Sequence, residues 1–183
     1  MTKHVDQFYI EKVLAGDSHT FVVLVDRHKN NVFNICVKIL QNREEAEEAA
    51  QDTFLKAFNK LKTFKQEAKF STWLFRIAYN ISISRKRKYK AKHLDIDDYV
   101  TSTNFGDGWI DRLDLESKEQ RETKLKTAIF KLKPEQQLLL QLYYDKGMTV
   151  MDVAKITDRS ESNIKVSLYR ARQKLFKLLT SPK

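Results

Sequence analysis

Four glycines and two prolines punctuate 183 residues, and not one of them falls between Asp17 and Phe105. A chain so poor in breakers lacks the residues that close tight turns, which leaves long helices as its main resource. The apolar pattern agrees. Between Phe21 and Leu40 the apolar face runs through Phe21, Leu24, Val25, His28, Val32, Ile35, Cys36 and Ile39, the i, i+3, i+4, i+7 stripe of a helix with one buried side. A second stripe passes through Ala46, Ala50, Phe54, Ala57, Phe58 and Leu61. A third passes through Leu74, Ile77, Ala78 and Ile81, after the polar stretch "TFKQEAKFST", which reads as a loop. With a weaker helix ahead of Gly16, these segments predict an all-α bundle of three to four helices over residues 1–92.

The composition then reverses sign. Residues 93–122 hold nine acids against three bases, a net of −6 that leaves +16 on the remainder of a chain whose total is +10. With two of the four glycines and little periodicity, this stretch reads as an acidic flexible linker, helical near its end. A second helical body is expected over residues 123–183. Leu125, Ala128, Ile129 and Leu132 form its first apolar face. Pro134 suits the first turn of a helix through "EQQLLLQLYYDK", and Gly147 suits the residue just past its end.

Residues 149–172, "TVMDVAKITDRSESNIKVSLYRAR", read as two short helices and a turn. Thr149 with Asp152 three residues on resembles a capping box, and Val150, Val153, Ala154 and Ile156 supply a buried side. Asp158 tolerates a left-handed turn position, Ser160 can cap the next helix, and Glu161 suits its electropositive first turn. In the second helix Ile164, Leu168, Ala171, Leu175 and Leu178 share a narrow arc. The opposite arc presents Ser162, Lys165, Val166 and Tyr169, flanked by Asn163 and Arg170, with polar side chains for base edges and cations for phosphates. A solvated charged face gives a similar pattern; the caps and arcs favour DNA.

A second cationic feature follows the third stripe. "SRKRKYKAKH" places Arg85, Lys86, Arg87, Lys88, Lys90 and Lys92 within eight residues, a density that calls for an anion. Phosphate is favoured over an anionic membrane surface. The aromatics upstream, Phe64, Phe70, Trp73 and Tyr79, with Asn80, suit stacking on unpaired bases, although Trp73 taken alone reads equally well as core.

Composition excludes other classes. No apolar run approaches the roughly 18 residues of a spanning helix, and the N-terminus lacks the apolar core of a signal peptide. A soluble, cytoplasmic protein without membrane insertion is expected. Cys36 on an apolar face reads as a small core thiol, and the four histidines form no metal-ligand spacing with it. No metal site, cofactor or catalytic constellation is expected: the acids fall on an outward helix face and in the linker, with no histidine beside them.

The order of "NREEAEEAAQDTFLKAFNKLKTF", "KFSTWLFRIAYNISISRKRK" and "LKPEQQLLLQLYYDKGMTVMDVAKITDRSESNIKVSLYRARQKL" closely resembles bacterial RNA polymerase sigma factors of the small, two-domain extracytoplasmic-function class, over about residues 8 to 179. The resemblance implies that the helix containing "EEAAQDTFLKAF" meets a coiled coil of the polymerase β′ subunit through Glu48, Gln51, Asp52, Leu55 and Lys56. It implies that Lys65, Phe70, Trp73, Tyr79 and Asn80 hold the opened minus-10 promoter element, with Arg85, Lys86, Arg87 and Lys88 on its backbone. The hairpin becomes the minus-35 reader, through Arg159, Ser162, Asn163, Lys165, Val166, Tyr169, Arg170 and Arg172. The leucine-rich helix before it, with Leu138, Leu139, Leu142 and Tyr143, matches the one that grips the β flap.

Members of this class are commonly restrained by an anti-sigma factor, so such a partner is implied as well. Two departures stand out. The turn carries Asp158 and Arg159 where the family commonly has Gly and an apolar residue, and Ser167 stands where an arginine is frequent. The resulting expectation is a non-enzymatic initiation factor that joins core polymerase, directs it to promoters and helps melt them. The alternative is a two-domain DNA-binding regulator that works without polymerase, and the acidic helix around Glu48 discriminates the two.

Overall fold

The structure is a computed structural model that describes residues 2–92 and 118–180; most of the predicted acidic linker, residues 93–117, lies outside the described residues. Every regular element among the described residues is helical. The first body comprises α1 (Thr2–Leu14), α2 (Phe21–Leu40), α3 (Arg43–Lys60) and α4 (Phe70–Lys92). The second comprises α5 (Lys118–Phe130), α6 (Pro134–Leu140) with a π turn over Gln141–Asp145, α7 (Val150–Thr157) and α8 (Glu161–Thr180).

The α2 stripe is buried as the spacing predicts, apart from the half-buried Val25. The helix stops where Gln41 turns left-handed (φ 57°), and Asn42 then caps α3, its side-chain oxygen accepting from the Glu45 N–H at 2.9 Å. The buried face of α3 is Ala46, Ala49, Thr53 and Ala57, which differs from the predicted stripe. Ala50 and Phe54 are half-buried, and Phe58 is 40% exposed. At 100° per residue Phe58 points about 120° away from Ala46, whereas Ala49 and Thr53 lie within about 60° of it. The small residues therefore set how closely α3 approaches α2 and α4, and the Thr53 hydroxyl is satisfied internally by donating to the Ala49 carbonyl at 2.7 Å.

The predicted loop is shorter than "TFKQEAKFST" suggested, since α4 already begins at Phe70. In α4 Leu74, Phe75, Ala78, Tyr79 and Ser82 are buried, while Ile77 and Ile81 are half-buried. In the second body Pro134 opens α6 and Gly147 takes a left-handed φ of 58° after the π turn, both as expected. Leu125, expected on the apolar face of α5, is 40% exposed.

The two bodies touch. Helix α7 packs on α4 and α6 packs on α2, so the buried side chains of both form one continuous apolar cluster. This arrangement leaves α4 sandwiched between its own bundle and the helix-turn-helix.

Candidate nucleic-acid and partner interfaces

The hairpin over residues 149–172 is built by local capping. Thr149 Oγ1 accepts from the Asp152 N–H at 3.1 Å, and the Asp152 carboxylate accepts from the Thr149 N–H and hydroxyl at 3.3 and 2.8 Å. Asp158 closes α7 in the left-handed region (φ 57°, ψ 43°), its N–H donating to the Ala154 carbonyl. The Ser160 hydroxyl then accepts from the Asn163 N–H at 3.2 Å and starts α8. Ile164, Leu168 and Ala171 are buried against α6 and α7.

That packing turns Ser162, Asn163, Lys165, Val166 and Arg170 out as one exposed arc, with Tyr169 half-buried beside it. Arg172 is exposed and leans toward the Tyr144 hydroxyl at 3.5 Å. Arg159 does not join the arc. Its guanidinium pairs with Glu135 on α6, and its charge acts on the Tyr79 phenol of the other body.

On the first body, a recess of about 270 Å³ opens beside the loop before α4. Phe64, Lys65, Thr72, Trp73 and Arg76 line it, together with Lys155 from α7. Its aromatic wall is continuous: Phe64 and Trp73 lie 5.2 Å apart, and Phe70 lies 5.8 Å from each. Such a wall suits a base set between rings. The predicted residues divide here. Lys65 and Asn80 are exposed and Trp73 is half-buried, but Phe70 is only 4% exposed and supports the wall from within, and Tyr79 is buried at 8% exposure. Burial raises the Tyr79 phenol above its ordinary range, and the Glu135 charge adds to that, against the pull of nearby Arg159 and Arg87.

Arg87 and Lys88 are exposed and Lys86 is half-buried, whereas Arg85 is turned onto α3. It reaches Glu48 at 3.0 Å and Asp52 at 2.5 Å in a fork. A residue expected on DNA backbone thus organises the acidic face expected to meet a protein. Glu48, Gln51, Asp52, Leu55 and Lys56 are all exposed along that face, with Leu55 projecting between the charges. By contrast, Leu138, Leu139 and Leu142 are buried and Tyr143 half-buried, so the leucines of α6 serve as core here. Among the described residues no group of three His, Cys, Asp or Glu is placed to hold a metal ion, and no helix is long and apolar enough to cross a membrane.

Comparison with known proteins assigns both bodies. Residues 24–104 match the model of Sigma-70 region 2, and residues 122–175 match that of Sigma-70, region 4. The chain is also 30% identical over 178 residues to the ECF RNA polymerase sigma factor SigW of Bacillus subtilis (strain 168), an alignment covering 93% of this chain and 94% of the relative. The chain belongs to the sigma-70 family, in its extracytoplasmic-function (ECF) class. The RNA polymerase sigma-H factor of Pseudomonas aeruginosa is 26% identical, with 98% of this chain and 96% of that one covered.

Among solved structures, the sigma factor RpoE in complex with the anti-sigma factor NepR from Bartonella quintana superposes with a TM-score of 0.63 at 25% identity, covering 89% of this chain and 98% of that one. CnrH in complex with the cytosolic domain of CnrY shares the fold, with a TM-score of 0.65 at 21% identity over 97% of this chain and 99% of the other. In sigma terms α2, α3 and α4 belong to region 2, and the helix-turn-helix of α7 and α8 belongs to region 4.

Several residues at these surfaces carry no signal in the sequence. Arg76, Thr72 and Glu135 meet partners on distant segments, and their spacing announces none of it. His28 was legible only as core; its Nε2 shares a hydrogen bond with Asp6 at 3.0 Å, and Arg27 donates to the same carboxylate at 2.8 Å.

Proposed function

We propose that this sigma factor binds core RNA polymerase, directs it to specific promoters and assists their melting, as a cytoplasmic, non-enzymatic subunit. The observation that carries this reading is the acidic, leucine-centred face of α3 in a chain of net charge +10. A DNA-binding regulator acting alone gains nothing from an ordered acidic face beside its cations, whereas a protein partner with basic side chains does.

In this reading residues 1–92 bind polymerase and the minus-10 element, residues 93–122 connect, and residues 123–183 read the minus-35 element. Glu48, Gln51, Asp52, Leu55 and Lys56 meet the β′ coiled coil, with Arg85 holding two of the acids in place. Trp73, Lys65 and Asn80 face the opened strand, backed by Phe70, and Lys86, Arg87 and Lys88 follow its phosphates. Ser162, Asn163, Lys165, Val166, Tyr169 and Arg170 face the upstream element. The β flap is met by α6 and its π turn, where Tyr143 and Tyr144 are the more accessible groups. The sigma factor RpoE, solved in complex with the anti-sigma factor NepR, supports an anti-sigma factor as a further partner.

Run-off transcription with purified core polymerase over a genomic promoter library tests the proposal, and discrete start sites dependent on this protein are expected. Tight binding to duplex DNA together with no retention on core polymerase would overturn it in favour of the polymerase-independent regulator.

A further inference from the structure

We infer that the chain carries a binding site for a small aromatic anion, a carboxylate or phosphate on a planar ring, in the recess walled by α1, α2 and the first turn of α4. The recess holds about 710 Å³, a size that suits a small organic ligand. It is distinct from the one beside Trp73. Phe64 lines both, but Trp73 lines only the smaller and Phe70 only the larger, whose other walls come from α1, α2 and the segment after the π turn.

Two independent features point to an occupant. The first is the start of α4. Lys69, Phe70 and Ser71 line the recess, and the Trp73 N–H donates to the Lys69 carbonyl at 3.2 Å to open the helical ladder. The N–H groups of Phe70, Ser71 and Thr72 precede that ladder, and no side chain among the described residues caps them, whereas Asn42, Thr149 and Ser160 cap α3, α7 and α8. The first turn of α4 holds no acid, and Lys69, at its cap position, cannot accept a hydrogen bond. Unpaired N–H groups at the positive end of a 23-residue helix, with an ammonium beside them, are complementary to an anionic oxygen.

The second feature is His28. It lines the recess and is only 8% exposed, and its Nδ1 has no hydrogen-bond partner among the described residues, while Nε2 is taken by Asp6. A buried ring nitrogen left unpaired is uncommon in a folded protein, and a polar group of an occupant accounts for it. The His28 ring packs edge-on to Phe70 and Phe75, with centroids 5.5 and 6.4 Å away, and these two with Ile10 and Met148 offer the apolar surface for a planar ring. The charges favour an anion. Asp6 is the one acid among the described lining residues, and Arg27 and His28 already satisfy it; Lys69 and Lys146 form no ion pair among the described residues.

The test uses the full chain with phenyl phosphate as the probe, orthophosphate for the head alone and phenylacetate for a carboxylate head, read by backbone amide NMR shifts. The amides of Phe70, Ser71 and Thr72 should move saturably with phenyl phosphate at about millimolar affinity, and orthophosphate should bind at least about tenfold more weakly because it buries no ring. Binding of phenylacetate at the same amides supports the site and adds the carboxylate as an accepted head. Lys69→Asp places the chain's own carboxylate at the cap, so thermal melting should show no loss. It should weaken phenyl phosphate at least about tenfold, whereas Lys131→Asp, the same change of charge on an exposed residue outside the recess, should leave it within about twofold.

No saturable shift at those amides overturns the site, as does equal weakening by the two variants. Orthophosphate as tight as phenyl phosphate overturns the aromatic ligand and leaves a simple ion. Displacement of phenyl phosphate by a single-stranded oligo(dT) of about 20 nucleotides gives the recess to the promoter strand and overturns a separate ligand.

Discussion

Lys165 and Tyr169 lie one turn apart on α8, Lys165 on the exposed arc proposed to read the upstream element and Tyr169 half-buried beside it. Replacing both by Ala should remove about 1–3 kcal/mol of discrimination at each base that either side chain reads. Transcription from promoters with an altered upstream element should then resemble that from intact ones, while core polymerase binding is retained; unchanged promoter choice would refute the assignment. Asp6 acts on stability instead. Burial opposes its charge, but the bonds and charges of His28 and Arg27 outweigh that and hold its carboxyl below the ordinary value of 3.8. A depressed native value stabilises the fold above the ordinary carboxyl range and is lost as pH falls through the native value. Asp6→Asn should cost about 1–3 kcal/mol near neutral pH, and less as the solution is acidified, in urea titrations at several pH values. The capping residues Thr149, Asp158 and Ser160 were legible in the sequence because capping is local chemistry. Arg76 was not, since its partner Asp158 lies 82 residues away and an exposed arginine on a helix carries no periodic signal.

At the scale of elements, α3 and α6 show what a stripe reveals and what it leaves open. The helical period of α3 was plain, but its aromatic residues suggested a face centred on Phe54 and Phe58, whereas close helix approach selected Ala49 and Thr53. The acidic face was legible because its residues lie away from the buried one under either registration. Reversing its charge with Asp52→Lys sets a cation against Arg85 and the polymerase alike. Core polymerase binding should fall at least about tenfold, while the melting temperature changes little, because exposed pairs contribute little to stability. The leucines of α6 were ambiguous for a different reason: a leucine that docks a partner and one that fills a core look the same in sequence. Leu139 is buried, so Leu139→Ala should destabilise region 4 by about 2–5 kcal/mol in denaturant titration, before any effect on polymerase binding is read.

At the scale of the whole molecule the charge segregation was legible and the packing of one body on the other was not, since α4 and α7 add polar groups to their contact that no hydrophobic period marks. What the charge does for DNA binding is therefore a question of which cations are free to act. Residues outside the 93–122 stretch carry +16, and single-stranded DNA releases counterions with a slope of about −0.7 in log affinity against log salt for each phosphate neutralised. The wild type should lose affinity steeply as salt rises, and a flat titration would rule out a phosphate-binding role for the cluster at the end of α4. Within that cluster the structure separates two behaviours that sequence density alone would merge. Lys86, Arg87 and Lys88 form no fork with α3, so replacing all three by Ala should flatten the slope by about 2 and weaken every DNA sequence alike. Arg85 is already neutralised by Glu48 and Asp52, so Arg85→Ala should leave the salt slope unchanged and weaken core polymerase binding instead. Titrating both variants against one oligonucleotide, with core polymerase retention measured alongside, assigns Arg85 to the protein interface or returns it to the DNA.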